Sequence, residues 1–354
     1  MATRKGDNLQ NAIHGKGYSW TTGSALASLS ATDKKAHLGL RVTDAELKAT
    51  ATAIKATAAL TALQAIAAPV SVDWRNKNGN WITPIKDQAN CGSCVSFATC
   101  ATMEARARIA CNNANLSIDL SEAHVFYCGC GNCCANGWNF PPALDFCKNT
   151  GAGLESSFPY TPSNQPCNSS VVPYLKITNW ASILSVPDRK NTLASKGPMV
   201  AGMAVYNDFY AYQGGVYRHT TGPLVGYHAI SVVGYDDSQS CWICKNSWGP
   251  SWGESGFFRI GYGDSGIDTD FAFYDVDVPC PSTPVDRCAE YLPALRRALQ
   301  IARSNPMLRR CLLHYICGRQ PRPNCSASYM NVVNAVRQIL QACPQYREPF
   351  CRAL

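Results

Sequence analysis

The stretch Gln88-Ala-Asn-Cys-Gly-Ser-Cys-Val-Ser-Phe97 places two cysteines three residues apart, behind a glutamine and at the start of a helical run, CVSFATCATMEARARIA. Helix-start amides and the helix dipole favour an anion at the first position, so Cys94 meets the field that turns a thiol into a thiolate. Cys91 lies one turn earlier, in the Gly-Ser turn, and has no such field. Of the pair, Cys94 is the nucleophile candidate and Cys91 the bridge candidate.

A thiolate nucleophile needs a base. Of six histidines, His14, His37, His124, His219 and His314 lie in segments that offer no obvious orienting partner, and read as solvated or structural. His228 sits in the alternating strand GYHAISVVGYDD, and eighteen residues on comes CWICKNSWGPSWG with Asn246 and Trp248. An asparagine can fix one imidazole nitrogen and leave the other for the sulfur.

These motifs resemble the papain family of cysteine peptidases. Gln88 stands six residues before Cys94, CGSC is intact, and His228 and Asn246 follow the cysteine by 134 and 152 residues. SVDWR (71–75) is similar to the family's mature N-terminus, and the resemblance runs from about Val70 to Asp277. It implies an α+β, papain-like two-subdomain fold, with a helical part and a β-barrel-like part. It further implies a thiol endopeptidase working through an acyl-enzyme and made as a zymogen, without metal or cofactor. Gln88 and the Cys94 amide would form the oxyanion hole, His228 would act as base and then acid, and Asn246 would orient it beneath Trp248. Gly137 and Trp138 would form the substrate strand, where one glycine of the usual pair is missing, and Val95 replaces the usual aromatic. Asp270, in SGIDTDFAFYDV, would stand at the floor of the main specificity pocket, where cathepsin B also has an acid. No His-His insertion follows the FPY segment, so endopeptidase action is implied. The resemblance pairs Cys91 with Cys134, with Cys133 competing, and Cys128 with Cys167; it places neither Cys241 nor Cys244.

Three composition regimes divide the chain: a leader (1–68), the body (69–280) and a tail (281–354). The Ala/Thr/Lys-rich leader shows one helical pattern, from Asp44 to about Ala67, with Leu47, Ile54, Leu60, Leu63 and Ile66 apolar. By resemblance it is a prosegment, short like that of cathepsin B, that inhibits its own enzyme from the cleft; the alternative is a disordered leader. The run Ala56–Pro69 mimics a signal sequence too far from the start, and reads as helix. Nineteen cysteines in 354 residues point to an oxidising compartment, so the chain is expected to be secreted or lumenal with no recognisable signal peptide, and monomeric.

From Pro281 on there are eleven arginines, no lysine and three acids (Asp286, Glu290, Glu348), which accounts for the whole net charge of +8. An anionic surface is the partner such a tail suggests, against solvated helix faces. Three Cys-x7-Cys loops, 280–288, 317–325 and 343–351, alternate with helical patterns at Leu292, Leu295, Leu299 and at Val333, Val336, Leu340. The simplest pairing closes each loop on itself (Cys280 with Cys288, Cys317 with Cys325, Cys343 with Cys351) and leaves Cys311 over; its competitor nests the bridges across helices. The rival to an enzyme is a catalytically idle scaffold that binds through this basic tail.

Overall fold

The computed structural model describes residues 2–61, 68–281, 284–319, 321–343 and 346–354, the side chains of 2–7, 59–61, 284–290 and 342 excepted. The chain forms two compact units, residues 1–280 and 281–354.

The first unit begins with helices α1 (Ala2–Gly15), α2 (Ala31–Ala36) and α3 (Asp44–Thr61) and a short strand β1 (Thr21–Thr22). Ser30 caps α2 by accepting from the Asp33 amide, and Thr43 with Glu46 forms the reciprocal cap of α3. The described leader residues 2–61 thus form capped helices and a strand, against the disordered alternative. Ile54 is buried as the pattern requires, whereas Leu60, Leu63 and Ile66 lie outside the described side chains.

Helix α4 (Cys94–Ala110) is buried along most of its length, and its small and apolar residues are spread round the helix rather than gathered in one stripe. Its two charged residues in mid-helix are compensated: Glu104 accepts from the Leu120 amide, and Arg106 pairs with Asp275 at 2.9 Å. With α5 (Phe140–Asn149), α4 builds a core around Met103, Phe126, Leu144 and Trp138.

The second core belongs to an eight-stranded sheet in the order β3 (Asn179–Ile183), β10 (Phe273–Asp277), β4 (Met199–Tyr206), β7 (Leu224–Asp236), β8 (Cys241–Lys245), β9 (Phe257–Gly261) and β6 (Val216–Tyr217), with β2 (Ser71–Asp73) on β7. Strand β5 (Tyr212–Gly214) pairs with β1 of the leader, and α6 (Val186–Ser195) packs on β7. The β7 sequence alternates, yet residues 228–235 are all buried, because α4 covers a face that an alternating strand would leave to water.

The second unit is all-helical: α7 (Pro284–Ser304), α8 (Pro306–Tyr315), α9 (Ala327–Ala342) and α10 (Arg347–Ala353), around Leu295, Leu308, Leu312, Val333, Val336, Leu340 and Phe350. Among the described residues no helix is long and apolar enough to cross a membrane.

Bridges in the first unit join Cys91 to Cys134, Cys128 to Cys167, Cys130 to Cys133 and Cys111 to Cys280. The three local rings of the tail do not form. Cys280 is taken by Cys111, Cys317 pairs with Cys351, and Cys325 pairs with Cys311. Cys343 is bridged too, but not to Cys351, and the side chain of Cys288 is outside those described. The reason lies in the helices. Cys311 and Cys351 sit on buried faces of α8 and α10, so each bridge ties a helix to the α8–α9 connection rather than closing a Cys-x7-Cys ring.

Candidate active site

Cys94, Cys100, Cys147, Cys241 and Cys244 are free, and all are buried. Cys94 stands at the first position of α4. The loop before it is held from two sides: Tyr160 Oη donates to Gln88 O at 2.9 Å and lies 2.7 Å from Ser93 Oγ, and the Gln88 amide donates to Ser247 O. Cys91 cannot serve as a thiol, because it is bridged to Cys134.

His228 lies in the middle of β7, opposite Met203 of β4. Its Nε2 is 2.7 Å from Asn246 Oδ1, while Nδ1 has no hydrogen-bond partner and no access to solvent. The next residue, Ala229, donates its amide to Cys94 Sγ at 3.4 Å, which sets the buried thiol against β7 one residue from the buried histidine. Trp248 packs on the imidazole with ring centroids 4.9 Å apart, and Tyr210 stacks on Trp248. Gln88 is fully buried; Nε2 donates to Cys91 O, and Oε1 accepts from Ser247 Oγ.

The leader covers this pocket. The Leu40 amide donates to Tyr227 O, the Trp138 amide to Gly39 O at 2.8 Å, and the Arg41 amide to Trp138 O at 2.7 Å. Trp248 Nε1 donates to His37 O, and the Gly39 backbone adds to the stabilisation of the Cys94 thiolate form. Leu40 packs against Gly202 and Phe271 beside a cavity of about 160 Å³ that Phe140 and Asp270 also line, Asp270 being solvent-exposed. Glycine is required where the backbones meet: a Cβ on Gly137, whose φ is +71°, would fall 2.1 Å from Gly39 O.

Burial governs the electrostatics. It pushes the Cys94 thiol up to about 12, against the amides of Ala229, Gly39, Val95 and Cys94 itself, which favour the thiolate. It lowers His228 to about 4, with the Asn246 hydrogen bond acting the other way and His37 adding to the lowering. Both groups are therefore neutral while the leader is in place.

The missing glycine at Trp138 is absorbed locally. The pairing uses only backbone, and the indole turns into the helical core against Gly129, where a Cβ would meet it at 2.3 Å. Sequence reasoning missed His37-Leu-Gly-Leu40 as a cleft element. The signal was a glycine between two leucines, too short to register as a pattern. His219 also differs from expectation: Nδ1 is 3.1 Å from Asp208, which accepts from Tyr217 Oη and the Thr220 and Thr221 amides, so this carboxylate organises a loop.

The sequence profile of the papain family cysteine protease matches residues 68–274. The chain belongs to this family. It is a papain-like cysteine peptidase. Cathepsin B-like CP2 of Giardia intestinalis is 34% identical over 216 residues, covering 56% of this chain and 72% of that protein. Cysteine proteinase 2 of Entamoeba histolytica is 35% identical, covering 55% and 64%. Among solved structures, procathepsin B S9 from Trypanosoma congolense superposes with a TM-score of 0.61 at 24% identity, covering 78% of this chain and 97% of that one. The bromelain protease from Ananas comosus in complex with the E64 inhibitor gives 0.50 at 31% identity, covering 59% and 98%. The body therefore has the α+β papain-like fold, and the likeness to a precursor reaches beyond the stretch shared with bromelain.

Proposed function

We propose that this peptidase is an endopeptidase zymogen whose chemistry is carried by Cys94, His228, Asn246 and Gln88, released outside the cytosol. The observation that carries the reading is the pairing of His228 Nε2 with Asn246 while Nδ1 stays unpartnered, one residue from the Ala229 amide that holds the free, helix-start thiol of Cys94. Once residues 37–41 leave, water enters, the desolvation that keeps both groups neutral is relieved, and the Cys94 proton passes to His228 Nδ1.

The thiolate then attacks the scissile carbonyl carbon. The developing oxyanion is held by the Cys94 N–H and a Gln88 Nε2 hydrogen, and collapse expels the amine, which takes its proton from His228. The thioester left on Cys94 is hydrolysed by a water that His228 deprotonates, and the thiolate returns. Asn246 holds the ring so that one nitrogen serves both transfers.

Leader residues 1–68 act as the inhibitor, through backbone pairing of Gly39 and Arg41 with Trp138 and with Leu40 packed against Gly202 and Phe271. Disulfides across both units suit a secreted or lumenal protein. The test is turnover of a dipeptide amide after acid activation, with and without an epoxide that alkylates thiolates. Epoxide-sensitive turnover with the adduct on Cys94 is expected; turnover that survives the epoxide would remove Cys94 from the reaction.

A further inference from the structure

The helical unit at the C-terminus takes no part in the site above, and its surface is unlike that of the body. Ten of its arginines are described and nine of them are exposed. The one acid whose side chain is described, Glu348, is already paired with Arg352. Among the described side chains, exposed charge of one sign is therefore left largely without internal compensation, and all of it is guanidinium, which grips phosphate through paired N–H groups.

A second observation separates one partner from another. Of the five large apolar side chains exposed in the protein's described part, two, Ile301 (43%) and Met307 (40%), lie six residues apart at the corner where α7 gives way to α8. Ile301 follows Arg297 by one helical turn, Arg310 follows Met307 by one turn, and Arg296 and Arg303 are two turns apart on α7, so aliphatic and cationic groups share the outer surface of this corner. Leu295, Ala298 and Ala302 of α7 and Leu308 and Leu312 of α8 face inward, which fixes the opposite faces as the free ones. The corner is rigid: Asn305 Oδ1 caps α8 through the Leu308 amide, its Nδ2 donates to Tyr329 Oη on α9, and Cys311 is bridged to Cys325.

We infer that the α7–α8 corner docks on an anionic phospholipid surface, with the arginines on headgroup phosphates and Ile301 and Met307 in the acyl boundary. A nucleic acid or sulfated polysaccharide would use the arginines but gain nothing from two aliphatic side chains, whereas a bilayer interface rewards both. The inference is independent of catalysis.

Co-sedimentation of the full chain with phosphatidylcholine vesicles, with and without phosphatidylserine, tests it. Binding is expected only with phosphatidylserine and should weaken as salt is raised. The triple variant Arg296→Gln, Arg297→Gln, Arg303→Gln should lose roughly a hundredfold in affinity. The pair Ile301→Ser, Met307→Ser should lose about tenfold, with the thermal unfolding of both variants unchanged because every altered side chain is exposed. Absence of a phosphatidylserine dependence overturns the inference. So does full binding by the Ser pair, or displacement from vesicles by heparin equally well for the wild type and the Ser pair, either of which would assign the corner to soluble polyanions.

Discussion

Gly39 and Gly92 meet backbone to backbone: a Cβ on Gly39 would fall 2.0 Å from the Gly92 carbonyl oxygen. The leader reaches the loop before Cys94 because neither segment carries a side chain at this crossing. Gly39→Ala should therefore lift residues 37–41 off the cleft at a cost of about 1–3 kcal/mol, the range for overpacking. The unprocessed variant should hydrolyse a dipeptide amide at least tenfold faster than the unprocessed wild type. Equal rates would show that the crossing does not hold the leader closed.

Cys94→Ala should abolish hydrolysis with the fold intact, whereas Cys91→Ala should mainly lower the melting temperature by opening the bridge to Cys134. Asn246→Ala should reduce kcat without abolishing it, since the orientation of His228 is lost and the nucleophile is kept. Peptide mapping after labelling with a thiol-directed inhibitor checks the first assignment, and an adduct away from Cys94 refutes it.

The closed form should weaken in acid. His228 is held at about 4 in the closed pocket, below the ordinary value of about 6.5. The open form, with a hydrated imidazole, therefore binds more protons between these values. The advantage of the closed form is fully present above pH ~6.5 and is lost as pH falls toward ~4, by up to about 3 kcal/mol. Leader removal, followed by gel mobility, should accelerate across that window. A rate independent of pH there would mean that His228 is not what acid acts on.

Asp270 and Leu40 line the same cavity. Once Leu40 leaves, an aliphatic or aromatic side chain should fit the cavity, and an arginine should reach the carboxylate. Asp270→Ala should cost an Arg-Arg dipeptide amide on the order of tenfold in kcat/KM and spare Phe-Arg, as for an ion pair of about 1–2 kcal/mol. Equal effects on both substrates would take Asp270 out of the pocket.

The tail should be dispensable for chemistry. Ending the chain at Cys280 keeps the Cys111 bridge and every residue of the site, so hydrolysis of a dipeptide amide in solution should stay within about twofold, the scale of a surface change. Within the full chain, Cys317→Ser should unfold the helical unit at lower denaturant, since the bridge to Cys351 spans 34 residues and is worth about 4 kcal/mol by chain entropy. Loss of turnover on truncation would make the tail part of the catalytic body.

The family and the α+β fold of the body were legible in the sequence because the motifs that carry them depend on residue type and chain order. A thiol at a helix start, a histidine on a strand and an asparagine just after the next strand are written in one dimension. Tertiary structure decided what depends on which backbones touch. The Leu-Gly-Leu crossing joins Gly39 to Gly92 and to Trp138, 53 and 99 residues away, the Tyr160 tie to Gln88 spans 72, and even Gly129 making room for the Trp138 indole nine residues on follows no pattern in the sequence. The tail shows the same limit most plainly. Regular Cys-x7-Cys spacing suggested local rings, but a cysteine bonds along the direction its helix face points. Only the packing of α8, α9 and α10 set Cys311 against Cys325 and Cys317 against Cys351.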